Sequence, residues 1–335
     1  MAARRGRAGR LARATLAAAV VATARAWTSL FATPGISDAG MYIAPEAFNH
    51  SLIGPVGLGP GPSSHWYAAQ WNNPAPLQDA RVSAAATVSC PAQGMGQRPL
   101  DWSLQSATAA VCRYGGATPA WRVAQNGDKV PCGTEDDLFL APVGGNYPGA
   151  QQGMRRSPPL ASMSQLRVTM TASLDTAAAS VRCGADPQCG PGGKVDYGYA
   201  VLGIVCSALD APGGGQTLFY QVLLADTRQH SPCAGGQACS KRPLAWYFKQ
   251  NPYGASDTIA NFGAPCLEPR AAAPSVLEFD ALPQLRAAVE AGPPGGNGFF
   301  ANATAWSVTG VYLGVGLQGS TSMTLGVADF DVSFQ

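Results

Sequence analysis

Two stretches group side chains that could move protons. Glu135-Asp136-Asp137 sets three carboxylates in a row, and Glu278 and Asp280 stand two residues apart. Two carboxyl groups flanking one bond are the usual equipment for hydrolysing a glycosidic linkage. On an extended chain, consecutive residues point to opposite faces, so neighbours within the 135–137 run do not form such a pair. Glu278 and Asp280 would share a face of a strand, but Asp280 is better explained as the N-cap of a following helix. Asp226-Thr227-Arg228-Gln229-His230 gathers an acid, a guanidinium and an imidazole after a strand. That suits a site rim or a salt-bridged turn, and the turn is the plainer account.

Metal chemistry lacks ligands. The histidines are His50, His65 and His230, and no C-x-x-C pair occurs, so neither a metal nor a cofactor is expected. The nine cysteines read instead as disulfide formers. Cys183 and Cys189, and Cys233 and Cys239, are each six apart around turn residues, short enough for every pair to close its own loop. Cys90, Cys112 and Cys132 form a second group and Cys206 and Cys266 a looser one, with pairings that spacing leaves open. The count is odd, and Cys206, inside an apolar strand, is the cysteine expected to stay unpaired as a small buried hydrophobe.

Aromatic rings offer a different chemistry. Trp66, Tyr67, Trp71, Trp102, Trp121, Trp246, Tyr247, Tyr253 and Trp306 could stack on sugar rings or fill a core. In Ser307–Gln318, Tyr312, Gly314, Gly316 and Gln318 share one strand face, where the glycines would leave room for a flat ligand against the backbone or allow close packing. The ligand-binding candidates are therefore Trp66, Trp71, Trp246, Tyr247, Tyr312 and Gln318.

The elements that must position these residues are strands. Charged residues are 13% of the chain, against roughly 25% for ordinary soluble domains, while 40 Gly and 27 Pro favour turns. The net charge of +2 forms no basic stripe, which argues against nucleic acid. Residues 1–26 carry Arg4, Arg5, Arg7, Arg10 and Arg13 before an apolar run and Ala24-Arg25-Ala26, the pattern of a secretory signal peptide. The expected location is extracellular or periplasmic, with an organelle lumen reached by a transit peptide as the alternative. No later stretch is apolar enough to span a bilayer. Residues 27–64 read as an irregular Gly/Pro-rich lead-in and 65–335 as one domain of undetermined oligomeric state.

Within that domain, Leu166–Leu174 alternates apolar and polar residues, and Tyr197–Cys206 is apolar on both faces, as a central strand would be. Leu218–Leu224, beyond a triple-glycine turn, should be its antiparallel neighbour. Short strands are expected near Arg81–Val88, Trp102, Val111–Tyr114, Trp121–Ala124 and Asp137–Ala141. Leu282, Leu285 and Val289 predict one helix over 281–291, stopped by Gly292-Pro293. Ser307–Gln318 and Met323–Phe334, joined by Gly319-Ser320-Thr321-Ser322, predict a closing hairpin. These elements predict an all-β, two-sheet antiparallel sandwich of the jelly-roll kind with long loops.

In the strand Gly310-Val-Tyr-Leu-Gly-Val-Gly-Leu317 after Trp306, in Trp66 to Trp71, and in strand order, the chain resembles the concanavalin A-like jelly rolls. These include lectins, carbohydrate-binding modules, glucanases and alginate lyases. The E-x-D-x-E strand of the laminarinase-like branch is absent. Tyr247-Phe248-Lys249-Gln250-Asn251-Pro252-Tyr253 is similar to the tyrosine-lysine segment of alginate lyases. That likeness implies Tyr253 as acid/base, Lys249 as a uronate ligand and Gln221 as the carboxylate-neutralising amide. Leu223 stands where the family has His, and some eighty residues follow Tyr253. The expected function is carbohydrate binding through an aromatic-lined face or groove. The alternatives are a polysaccharide lyase or glycoside hydrolase of this fold, and a surface or adhesion protein with no small ligand.

Overall fold

The computed structural model describes residues 26–45, 51–131, 134–144, 150–178, 197–208, 216–227, 243–250, 255–261, 267, 274–291 and 302–335, with the backbone alone at 175–178, 226, 243–250 and 255–261. The early strands are β1 (Thr28–Ser29), β2 (Met41–Ala44), β3 (Ile53–Val56), β4 (Trp66–Trp71) and β5 (Val82–Ser83). Next come β6 (Leu100–Gln105), β7 (Ala109–Tyr114), β8 (Ala120–Asn126), β9 (Glu135–Pro142) and β10 (Leu166–Ala178). The chain continues through β11 (Tyr197–Ala208), β12 (Gln216–Asp226), β13 (Pro243–Gln250), β14 (Ala255–Asn261) and β15 (Ser275–Asp280). Helix α1 (Leu282–Ala291) precedes β16 (Ser307–Gln318) and β17 (Ser322–Phe334).

These strands form two sheets, as the sequence predicts for a sandwich. The first has the order β15-β10-β17-β8-β7-β6-β5, with β1 also paired to β17; the second runs β14-β13-β12-β11-β16-β9-β4-β2-β3. The pairs are antiparallel except β2 with β4. Residues 27–64 are thus not all irregular, since they supply β1, β2 and β3. Of the 81–88 stretch only Val82–Ser83 is strand, and Val88 is exposed.

Period-two patterning decides which residues fill the gap between the sheets. Leu138 and Leu140, Leu202 and Ile204, Val222 and Leu224, and Leu313 and Val315 face inward from the second sheet. Trp121, Val123, Val168, Met170, Leu325 and Val332 meet them from the first. Cys206 is free and buried among them, and burial pushes its thiol above its ordinary range. Cys90 and Cys112 form a disulfide inside a small satellite cluster with Met95 and Tyr114.

The closing strands are not a hairpin. β16 pairs with β11 and β9 in the second sheet, whereas β17 pairs with β10 and β8 in the first. Gly319, with φ of 72°, starts the crossing from one sheet to the other. Small polar residues make a tight reversal, but pairing is decided by which sheet lacks its central strand. β17 also carries one extra residue against Thr169 and Thr171. This bulge, with Asp329 at φ of 53°, switches the inward set from Met323, Leu325 and Val327 to Phe330 and Val332. At the helix, Asp280 Oδ1 accepts from Leu282 N at 3.0 Å and from Leu166 N at 2.9 Å, so the cap also ties β15 to β10.

Candidate functional site

The face of the second sheet turned away from the core carries the side chains with chemistry. Register sets two rows across it. One runs Trp71, Asp137, Gly316, Tyr199; the next runs Ala69, Phe139, Gly314, Val201, Leu223. Trp71 lies 5.4 Å from Phe139, and Phe139 lies 5.2 Å from Tyr312, measured between ring centroids. Phe139, Val201 and Leu223 are buried beneath, while Trp71, Tyr199 and Tyr312 are half-buried.

Glycines make this packing possible. A methyl on Gly203 would collide with the Tyr312 ring, one on Gly316 with Asp137 and Tyr199, and one on Gly314 would sit 2.8 Å from Phe139 Cδ1. The space that Gly314 and Gly316 leave against the backbone is taken by side chains of β9 and β11, the close-packing alternative of the two that the sequence leaves open. Tyr312 is pinned at its far end, where its hydroxyl accepts from Gln221 Nε2 at 2.6 Å.

Glu135 and Asp137 share this face, whereas Asp136 points into the core and is fully buried. The three-carboxylate run thus resolves into an outer pair two residues apart and a single inner acid. Tyr199 bridges the outer pair, its hydroxyl donating to Asp137 Oδ1 at 2.8 Å and reaching Glu135 Oε1 at 3.2 Å. Their carboxylate oxygens can be no further apart than those two contacts laid end to end. Desolvation first, then the charge of Glu135, pushes Asp137 up to about 8; the Tyr199 hydrogen bond opposes this. Burial and then the two carboxylates hold the Tyr199 phenol well above its ordinary value. Tyr197 stacks on Tyr199 with centroids 6.1 Å apart. Gln318, half-buried, is in register with both Glu135 and Tyr197.

The site residues named from the sequence divide. Trp71, Tyr312, Gln318 and Gln221 lie on this face. Trp66 does not. It is fully buried, its ring 4.9 Å from Phe31 and its Nε1 donating to Thr33 Oγ1 at 3.1 Å, so it cannot stack on a ligand. Trp246 and Tyr247 occupy register positions opposite Tyr220 and Phe219, with only their backbone described. Lys249 is in register with Thr217, four residues along β12 from Gln221, roughly 14 Å at strand spacing. Tyr253, Cys183, Cys189, Cys233 and Cys239 lie outside the described residues, as does 228–230; Thr227 Oγ1 accepts from Gly198 N at 3.0 Å. Sequence reading missed Phe139, Tyr199 and the Glu135/Asp137 pair. The one sign of them was the Gly-rich strand β16, whose missing side chains had to be matched by rings on β9 and β11.

No family model matches the chain, and no curated protein matches it. Among solved structures, it is similar to the xyloglucanase domain of NopAA, a type three effector from Sinorhizobium fredii, in complex with cellobiose. The two share 11% identity over 70% of this chain and 97% of that one, with a TM-score of 0.33. A superposition that loose assigns neither fold nor function.

Proposed function

We propose that the outer face of the second sheet binds carbohydrate, with Trp71 and Tyr312 as the stacking rings and Gln221, Gln318, Glu135 and Asp137 as hydrogen-bonding neighbours. The observation that carries this is the aromatic row Trp71, Phe139, Tyr312, half-buried at its two ends and bordered on both sides by polar groups. Sugar rings present apolar C–H faces to aromatics and hydroxyls to amides and carboxyls, so such a strip matches both. The Cys90–Cys112 disulfide supports an exported protein. Among the described residues no helix is long and apolar enough to cross a membrane.

Pull-down of the purified protein on a panel of insoluble glycans tests this. Retention should drop about tenfold in Trp71→Ala and in Tyr312→Ala, the loss that accompanies removal of a central aromatic contact. Failure to retain any glycan would sink the proposal.

A second reading, glycoside hydrolysis, is favoured by one specific observation. Glu135 and Asp137 share a face and a bridging phenol, which holds their bridged oxygens closer than the ~6.5–9.5 Å of inverting hydrolases. Asp137 would be the acid, since it keeps its proton at neutral pH, and Glu135 the nucleophile. Release of reducing ends that disappears in both Glu135→Gln and Asp137→Asn is the expected result under this reading. The lyase reading finds less support, because Gln221 is bonded to Tyr312 and sits well away along the strand from Lys249.

A further inference from the structure

Between the sheets, on the opposite side of the strand that carries Glu135 and Asp137, lies a polar group that the proposed site does not use. Asp136, Gln125, Gln70 and Thr321 are each at most 2% exposed. Among the described residues, Nε2 of Gln70 and Oγ1 of Thr321 have no hydrogen-bond partner, and the Asp136 carboxyl has at most the Gln125 amide. Register brings them to one end of the sandwich. Asp136 faces inward beside Leu317 and Gly198 in one row, and Thr321 leans its Cγ2 over Gly198. Gln70, on β4, is a diagonal neighbour of Asp136, and Gln125 reaches across from the first sheet.

The amide orientations limit what this buried polar group can accommodate. The oxygen of Gln70 is taken by Leu77 N at 2.8 Å, so Gln70 presents N–H donors inward. A cation would meet those donors unfavourably, whereas water both donates and accepts and suits a mixed lining. No charged group among the described residues faces Asp136 from β4, β8, β16 or β17. Its neighbours along the strand, Glu135 and Asp137, are acids on the other face and supply no positive charge to hold Asp136 ionised.

We propose that this end of the sandwich encloses a hydrated polar chamber in which Asp136 keeps its proton in the folded protein, and that loss of the proton to solvent loosens the contact between the two sheets. Burial raises this carboxyl to about 7 from an ordinary 3.8, the Gln125 amide offsetting part of the effect. The folded state therefore holds a proton that the unfolded chain has released, and stability falls as pH rises between those two values, levelling off above the folded one. Asp137 acts in the same direction up to about 8.

The test is thermal unfolding of the full chain from about pH 5 to about pH 8. The midpoint should fall with rising pH in the wild type. Its slope should drop by about half in Asp136→Asn and vanish in the double variant with Asp137→Asn. A flat wild-type profile, or an unchanged slope in Asp136→Asn, would overturn the proposal. Should Asp136→Asn fail to fold, carbon-13 NMR titration of the wild type and of Asp137→Asn decides. A carboxyl that titrates near neutrality and persists in Asp137→Asn supports the inference, and ionisation of every remaining aspartate of that variant below about pH 5 defeats it.

Discussion

Trp66 and Trp71 lie five residues apart on β4, an odd offset that sends them to opposite faces. Alternation along 66–71 was legible in the sequence; which of the two faces would be the core was not, because the apolar surface waiting for Trp66 comes from Phe31 and Phe330, distant in the chain. Trp66→Ala should cost about 3–5 kcal/mol of unfolding free energy, the usual loss for emptying a buried Trp site. Trp71→Ala should cost less than half of that in the same denaturant titration while weakening glycan retention. Tyr199 carries a second prediction at this scale. Its hydrogen bond lowers the Asp137 carboxyl against the larger upward push of desolvation and Glu135. Tyr199→Phe should therefore raise the Asp137 titration midpoint further, which carbon-13 NMR of the aspartate carboxyls can follow; a downward shift would contradict the bridging role.

At the scale of elements, β16 was the most legible strand of the chain and also the most misread. Its inward set Val311, Leu313, Val315 and Leu317 is buried as alternation requires. Its outward glycines, however, acquire meaning only once β9 and β11 are known to flank it, since Phe139 and Tyr199 lie over Gly314 and Gly316 from those strands. Gly316→Ala should destabilise by about 1–3 kcal/mol, the range for overpacking, and should separate the Tyr199 hydroxyl from Asp137. Chemical unfolding measures the first effect, and a further rise of the Asp137 titration midpoint, in the same direction as in Tyr199→Phe, reports the second. The turn after β16 was misjudged for a comparable reason: small polar residues signal a reversal, but whether the strands then pair with each other depends on vacancies elsewhere in the sheets.

For the molecule as a whole, the two-sheet class was legible because composition, turn density and alternation agreed. The disulfide partners were not, as three cysteines in one region leave three pairings open. The observed Cys90–Cys112 bond closes a loop of sequence separation 22 around the satellite cluster. Replacing both cysteines with serine should lower stability by about 3 kcal/mol, the entropy of freeing a loop of this length in the unfolded chain. Equilibrium unfolding of the double variant checks it, and an unchanged midpoint would mean the loop is already ordered in the denatured state.

The crossing from β16 to β17 also constrains the order of events during synthesis. Each of these strands is flanked on both sides by strands made earlier: β11 and β9 around one, β10 and β8 around the other. A ribosome-bound chain that has reached only residue 306 therefore holds two split sheets, each missing its middle, with the flanking edges bare. Such edges are templates for unwanted pairing, and the non-local contacts that heal them form slowly. Nascent chains arrested before Ser307 should be cut readily by protease, whereas chains arrested with residues 307–334 clear of the exit tunnel should resist. The interval between those two lengths is when this protein most needs a chaperone.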